Sequence, residues 1–214
     1  MKEHILDSVR THLGDNILSL MAYQRYKQEL LIIVLKKADI PALTKIQKSL
    51  RKQPFIVFVE HDLNHGEDVF PLEYLHMKTH TKVIEGQDFF KSMKLKKTDV
   101  RTQLEYELRN KLIYLRQDFL LAPNPKKFVE QILPQFVIFL EALFFLQDLS
   151  PTREFEPDIQ TIEDIYDLDL TSFLWLLRVE QKQAKLHKSE IPNMIGAVHD
   201  QLEELLHIIN KLKV

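Results

Sequence analysis

Near residue 95 the hydrophobic period of this chain changes, and that change limits the folds open to it. Upstream, short apolar runs of strand length alternate with helical stripes. Asn16 to Tyr23 and Leu30 to Leu35 read as strands. The second, LLIIVL, is apolar without a break, as a strand covered on both faces must be. The segment between them, Gln24 to Glu29, suits a hairpin. Phe55 to Val59 (FIVFV) gives a third strand, and further strands are predicted at Leu72 to Met77 and Lys82 to Glu85. Two amphipathic helices accompany them: one carries Ile5, Leu6, Val9 and Leu13, and the other opens at Pro41 with Leu43, Ile46 and Leu50. His61 to Asp68 reads as a polar helix or loop. Downstream the pattern is helical. Leu104, Leu108, Leu112, Leu115 and Phe119 are spaced 4, 4, 3 and 4 apart, with Thr98 as the predicted N-cap and Pro123 and Pro125 as the stop. Phe128 to Leu149 is apolar nearly all round, the mark of a buried central helix. Ile159 to Asp169, Ser172 to Leu186 and Pro192 to Leu212 complete about five helices. The expected fold is α+β: a small mixed sheet with helices over residues 1–95, then an all-α bundle over residues 96–214.

Composition removes several chemistries. Among 214 residues there is no Cys, which excludes disulfides, iron–sulfur clusters, thiolate zinc sites and a Cys nucleophile. The four glycines, Gly14, Gly66, Gly86 and Gly196, stand too far apart for a Gly-rich phosphate loop. Lys plus Arg is 29 against 31 Asp plus Glu, a net charge of -2, so binding of nucleic acid by bulk charge is not expected. The tyrosines and Trp175 are scattered without the basic interleaving of a base-stacking platform. Met1 to Arg10 carries charges where a signal peptide has its apolar core. The most apolar stretch, Ile132 to Leu149, is broken by Pro134, Glu141 and Asp148, short of the roughly 20 apolar residues a membrane helix needs. A cytoplasmic protein without a membrane partner is expected.

Few patterns point to catalysis. His61 with His65, and His76 with His80, show the H-x-x-x-H spacing of helical zinc ligands, but neither pair has the Glu of H-E-x-x-H. The second pair falls on a predicted strand and turn, which would not hold both rings at one site. Surface or capping histidines are the expectation, and no metal is assigned. No G-x-S-x-G elbow occurs, and the carboxylates Glu203/Glu204 and Glu163/Asp164/Asp167/Asp169 read as solvated helix faces. Arg101, Glu105 and Arg109 recur every four residues, and Arg116 lies seven beyond. Two readings follow: a ladder of weak surface ion pairs, or an arginine-lined wall whose guanidinium forks grip phosphate.

Two stretches carry a resemblance. DVFPLEYLHMKTHTKVIEGQDFF (Asp68 to Phe90) and RTQLEYELRNKLIYLRQDFL (Arg101 to Leu120) resemble a bacterial family of nucleotidyltransferase-domain proteins. Its members join a small polymerase-β-like nucleotidyltransferase sheet to a C-terminal helical bundle. GDNILSLMAY (Gly14 to Tyr23) resembles the family's first strand, which leads to a Gly-Ser motif. QELLIIVL (Gln28 to Leu35) resembles the strand that carries its paired acids.

The resemblance implies an active form in which a Gly-Ser turn cradles a triphosphate. A D-x-D/E pair and a third carboxylate on a neighbouring strand hold two magnesium ions. This chain departs from that pattern. The turn reads AYQRYKQE (Ala22 to Glu29), Gln28 and Leu30 stand at the acid positions, and alternation aims Glu29 away from them. Glu73 alone matches the third acid. Glu73, Arg101, Glu105 and Arg109 are the candidate cleft residues, with no catalytic residue and no cofactor assigned. The leading expectation is a catalytically degenerate nucleotidyltransferase-fold protein acting as a binding, regulatory or interaction module, with a nucleotide or a protein as partner. The alternative is a Mg²⁺-dependent enzyme transferring a nucleotide from ATP through an altered site of Glu73, Glu29 and the Arg101/Arg109 face. A third reading is a homo-oligomer built through the bundle, motivated by apolar Phe136 to Leu146.

Overall fold

A computed structural model describes residues 3–121, 125–185, 187 and 189–214. Pro123 and Leu186, where two helices were expected to end, lie outside the described residues. The chain divides into two units, Met1–Leu95 and Lys96–Val214.

The first unit is organised around its second strand. β1 (Ile17–Arg25) and β2 (Gln28–Leu35) are antiparallel. The pairing of Arg25 with Gln28 leaves only Tyr26 and Lys27 as the turn. Tyr26 takes the left-handed conformation there, φ 52°. β3 (Phe55–Val59) lies parallel to β2 after a crossover through α2 (Ile40–Leu50), and β4 (Thr81–Gly86) closes the other side of β1 antiparallel, giving the order β3-β2-β1-β4. Asp39 caps α2 by accepting the Ala42 N–H at 3.0 Å.

Strand alternation sends β2 to two cores. Leu31, Ile33 and Leu35 pack with Leu20 against Ile5, Leu6 and Val9 of α1 (Glu3–Leu13) and Ile46 and Leu50 of α2. Leu30, Ile32 and Val34 pack with Met21 and Tyr23 under Leu63 of α3 (Glu60–Asn64), Tyr74 and Met77 of α4 (Pro71–His80), and Phe90. All six side chains from Leu30 to Leu35 are buried. At about 1.5–3 kcal/mol for each fully buried aliphatic chain, β2 contributes a gross stabilisation of roughly 10 kcal/mol.

One expected strand is a helix. Leu72 to Met77 lies inside α4, which Pro71 opens in its first turn. Leu72, Tyr74, Leu75, His76 and Met77 are all buried, so the segment lacks the solvent-facing stripe that marks a surface helix in sequence. The alternation of Leu72, Tyr74 and His76 imitates a strand instead.

The second unit is helical: α5 (Lys97–Leu121), α6 (Pro125–Leu146), α7 (Phe155–Tyr166), α8 (Thr171–Glu180) and α9 (Ile191–Lys211). Together with the four-stranded mixed sheet this makes the chain α+β. Thr98 is the second residue of α5 rather than its cap. The stripe Leu104, Leu108, Leu112 and Leu115 is buried, with Phe119 half-buried at its end. Ser150 to Pro157 is not wholly a connector, because α7 begins at Phe155. Phe136, Phe139, Leu140 and Leu143 are buried within the bundle, and Phe136 stacks on Phe173 at 3.7 Å between centroids. The apolar run that suggested an oligomer surface is therefore core. No helix among the described residues is long and apolar enough to cross a membrane.

Candidate functional site

The two ends of β2 differ sharply. Gln28 and Glu29 are exposed beside the two-residue turn, whereas Leu30 sits in the apolar cluster with Met21, Tyr23 and Phe90. Glu73, the match for a third acid, is half-buried in the first turn of α4, not on a strand. The positions where paired acids were sought thus hold an exposed amide and a buried leucine.

α4 instead supplies a polar cluster beneath the sheet. The Tyr23 hydroxyl and His76 Nδ1 share a buried hydrogen bond of 2.9 Å, and the rings meet edge-on at 5.5 Å. Burial drives the His76 pKa down to about 3, helped by His80 and Arg25. His76 and His80 stack at 4.1 Å between centroids because the helix places them one turn apart. Their H-x-x-x-H spacing is therefore helical, contrary to the strand expected there. His61 and His65 also lie close, at 4.3 Å. Tyr74 lies under Phe58 and Phe90 in the same core. Burial raises its pKa to about 12, with Asp62, Glu73 and Glu67 adding to the rise. Gly66 makes room for that phenol: a Cβ there would stand 2.7 Å from the Tyr74 oxygen and 2.6 Å from the Asp62 carbonyl.

A cavity of about 950 Å³ opens at the corner between α2 and β3. Leu30, Leu50 and Phe55 form apolar walls, and Lys48, Arg51 and Lys52 surround them. These three cations are exposed, and none has a carboxylate partner among the described residues. The C-terminus of α2 carries roughly half a negative charge, too little to balance three cations. A corner of this kind attracts an anion with an apolar body. No motif in the sequence marks this corner, but its charge bias does: from Ile40 to Val59 there are four basic residues and no acidic one.

In the second unit, Arg101, Glu105 and Arg109 form one ladder. Arg101 Nη1 donates to Glu105 Oε2 at 3.1 Å and to the Ile209 carbonyl at 3.3 Å. Arg109 donates to Glu105 Oε1 through Nε and Nη2, and to Asn210 Oδ1 at 3.2 Å. These bonds, Arg109's foremost, hold the Glu105 carboxyl below the usual carboxylate range. The ladder ties α5 to α9. His199, Asp200 and Glu203 on α9 bring ligand atoms within 4.8 Å of one another, but Arg116 Nε donates to His199 Nε2 at 3.0 Å and so occupies that ring nitrogen. The cluster is a charge network with a cation already in it.

No protein-family model matches the sequence, and no curated protein matches it. A solved structure does match. The crystal structure of a spectinomycin adenyltransferase from Enterococcus faecialis, with ATP and spectinomycin, is similar at a TM-score of 0.51 and 9% identity, covering 93% of this chain and 96% of that one. The likeness shows that the fold is nucleotidyltransferase-like.

Proposed function

We propose that this chain is a nucleotidyltransferase-fold protein that no longer transfers a nucleotide and serves as a binding module. The observation that carries the reading is the burial of β2. From Leu30 to Leu35 both of its faces are apolar core, and two residues connect it to β1. In-line phosphoryl transfer needs two or three carboxylates converging on divalent metal, and a turn that cradles a triphosphate. The residues present do not fit that arrangement. Glu29 points from an exposed strand end and Glu73 from a helix. In this reading the anionic ligand sits at the α2–β3 corner, against Lys48, Arg51 and Lys52.

Two assays on the purified chain test the proposal. The first offers ATP labelled on its α-phosphate, Mg²⁺ and a panel of aminoglycoside and aminocyclitol acceptors. No label is expected on any acceptor, and Mg²⁺-dependent labelling overturns the reading. The second is a thermal melt with ATP, with and without Mg²⁺. A ligand at 100 times its Kd adds about 2.7 kcal/mol, a rise of a few degrees for a chain of this size. A rise that does not need Mg²⁺ and is lost in the R51E/K52E double variant supports a ligand at the corner. A rise that requires Mg²⁺ returns the enzyme reading, and no rise leaves a protein as the partner.

A further inference from the structure

Five of the thirteen large hydrophobic side chains that are exposed among the described residues lie on one helix, α5: Tyr106, Ile113, Tyr114, Leu120 and Leu121. Their concentration is not an effect of helix length alone, because all five fall on one face. At 3.6 residues per turn they occupy an arc of about 120°, opposite the buried stripe of Leu104, Leu108 and Leu115. Gln103, Asn110 and Gln117 complete that arc, so from Gln103 to Leu121 it carries no charge. Ile113 is 60% exposed and Leu120 81%; singly such exposure is ordinary, but gathered on one uncharged face it marks an interaction surface.

We infer that this face of α5 joins two copies of the chain side by side, with their α5 helices parallel. Tyr106, Ile113 and Leu120 recur every seven residues. A row with that period fits a second helix that presents the same row, knobs into holes. The rims of the face fix the direction. Arg109 and Arg116 border it on one side, and Glu107 and Asp118 border it on the other. In a parallel pair the arginine rim of each copy meets the carboxylate rim of its partner; in an antiparallel pair like rims would meet. Arg116 already contacts α9 through Nε and Nη2, and Arg109 uses Nε on Glu105 and Nη2 on Glu105 and Asn210, so the Nη1 of each has no partner among the described residues. Exposed ion pairs of this kind set orientation more than affinity, and the five apolar side chains per copy supply the burial.

The absence of cysteine makes the test clean. Sedimentation equilibrium of the full chain across the micromolar range is expected to give a monomer–dimer equilibrium. Ile113→Glu, at an exposed position where it should not disturb folding, is expected to weaken association at least about tenfold, with an unchanged melt confirming the fold. Tyr106→Cys then reports direction: in a parallel pair the two sulfurs face each other and oxidation links the copies. In an antiparallel pair, an equimolar mixture of Tyr106→Cys and Leu120→Cys links instead. A monomer at every concentration, a dimer indifferent to Ile113→Glu, or linkage only in the mixed sample each overturns the inference.

Discussion

His76 on α4 is joined to Tyr23 on β1 by a 2.9 Å hydrogen bond within the apolar core, and it holds helix to sheet through a ring that is neutral when the chain is folded. In the unfolded chain the same ring titrates near 6.5, whereas burial holds it near 3 in the folded state. Between those values the unfolded state binds more protons. The stability is therefore present above pH 6.5 and is lost as pH falls toward 3, by up to roughly 4 kcal/mol. Urea denaturation across that range is expected to show this slope in the native chain and a flatter one in His76→Gln. An unchanged slope would mean that other groups govern the acid transition.

Leu30→Asp tests whether β2 can be returned to metal chemistry. The substitution places a carboxylate at a position matched to the paired acids, but in the cluster formed by Met21, Tyr23 and Phe90. Desolvating a carboxylate in that cluster costs several kcal/mol, more than the exposed cations at the cavity rim return, so a loss of about 3 kcal/mol or more in urea denaturation is expected. Mg²⁺ should not restore it. Recovery of stability by Mg²⁺ would indicate a latent cation site.

Gly86 ends β4 opposite Ser19, with φ 84°. A Cβ there would meet the Leu18 carbonyl oxygen at 2.0 Å and the Ser19 Cα at 2.8 Å, both backbone atoms that cannot swing aside. Gly86→Ala is expected to cost about 3 kcal/mol or more, since both the conformation and the space demand glycine. Hydrogen exchange should show the β1–β4 ladder opening first, with β1–β2 protected. Uniform loss of protection would show instead that β4 unfolds with the whole unit.

These residues also show what the sequence could convey. LLIIVL announced a strand covered twice, because a short, unbroken apolar run rich in β-branched residues has the length and composition of a buried strand. The spacing of Arg101, Glu105 and Arg109 announced the ladder, because contacts one helical turn apart are local. α4 was misread because burial on several sides removes the amphipathic contrast on which a helix is recognised. The α2–β3 corner was not legible for a different reason: Leu30 and the Lys48–Phe55 segment meet only once the sheet has formed. Glu73 likewise needed the fold to show that it belongs to a helix.

The ladder permits a last prediction that separates its two readings. Glu105 is the shared acceptor of Arg101 and Arg109, and its side chain is only 25% exposed, whereas that of Arg109 is 53% exposed. If the ladder is structural, Glu105→Gln loosens α5 from α9 at a cost of about 1 kcal/mol or less, and the difference shrinks in high salt. The variant should also lose the acid sensitivity that comes from a carboxyl held below its ordinary range. That contribution is present above about pH 4.5 and is lost as pH falls through the folded value. If the arginines grip phosphate, removing the competing carboxylate charge should enlarge the melting shift produced by ATP. We expect the ATP shift to be the same in both proteins, because Arg101 and Arg109 also hold the Ile209 carbonyl and Asn210. A larger shift in Glu105→Gln would move the ligand site from the α2–β3 corner to α5.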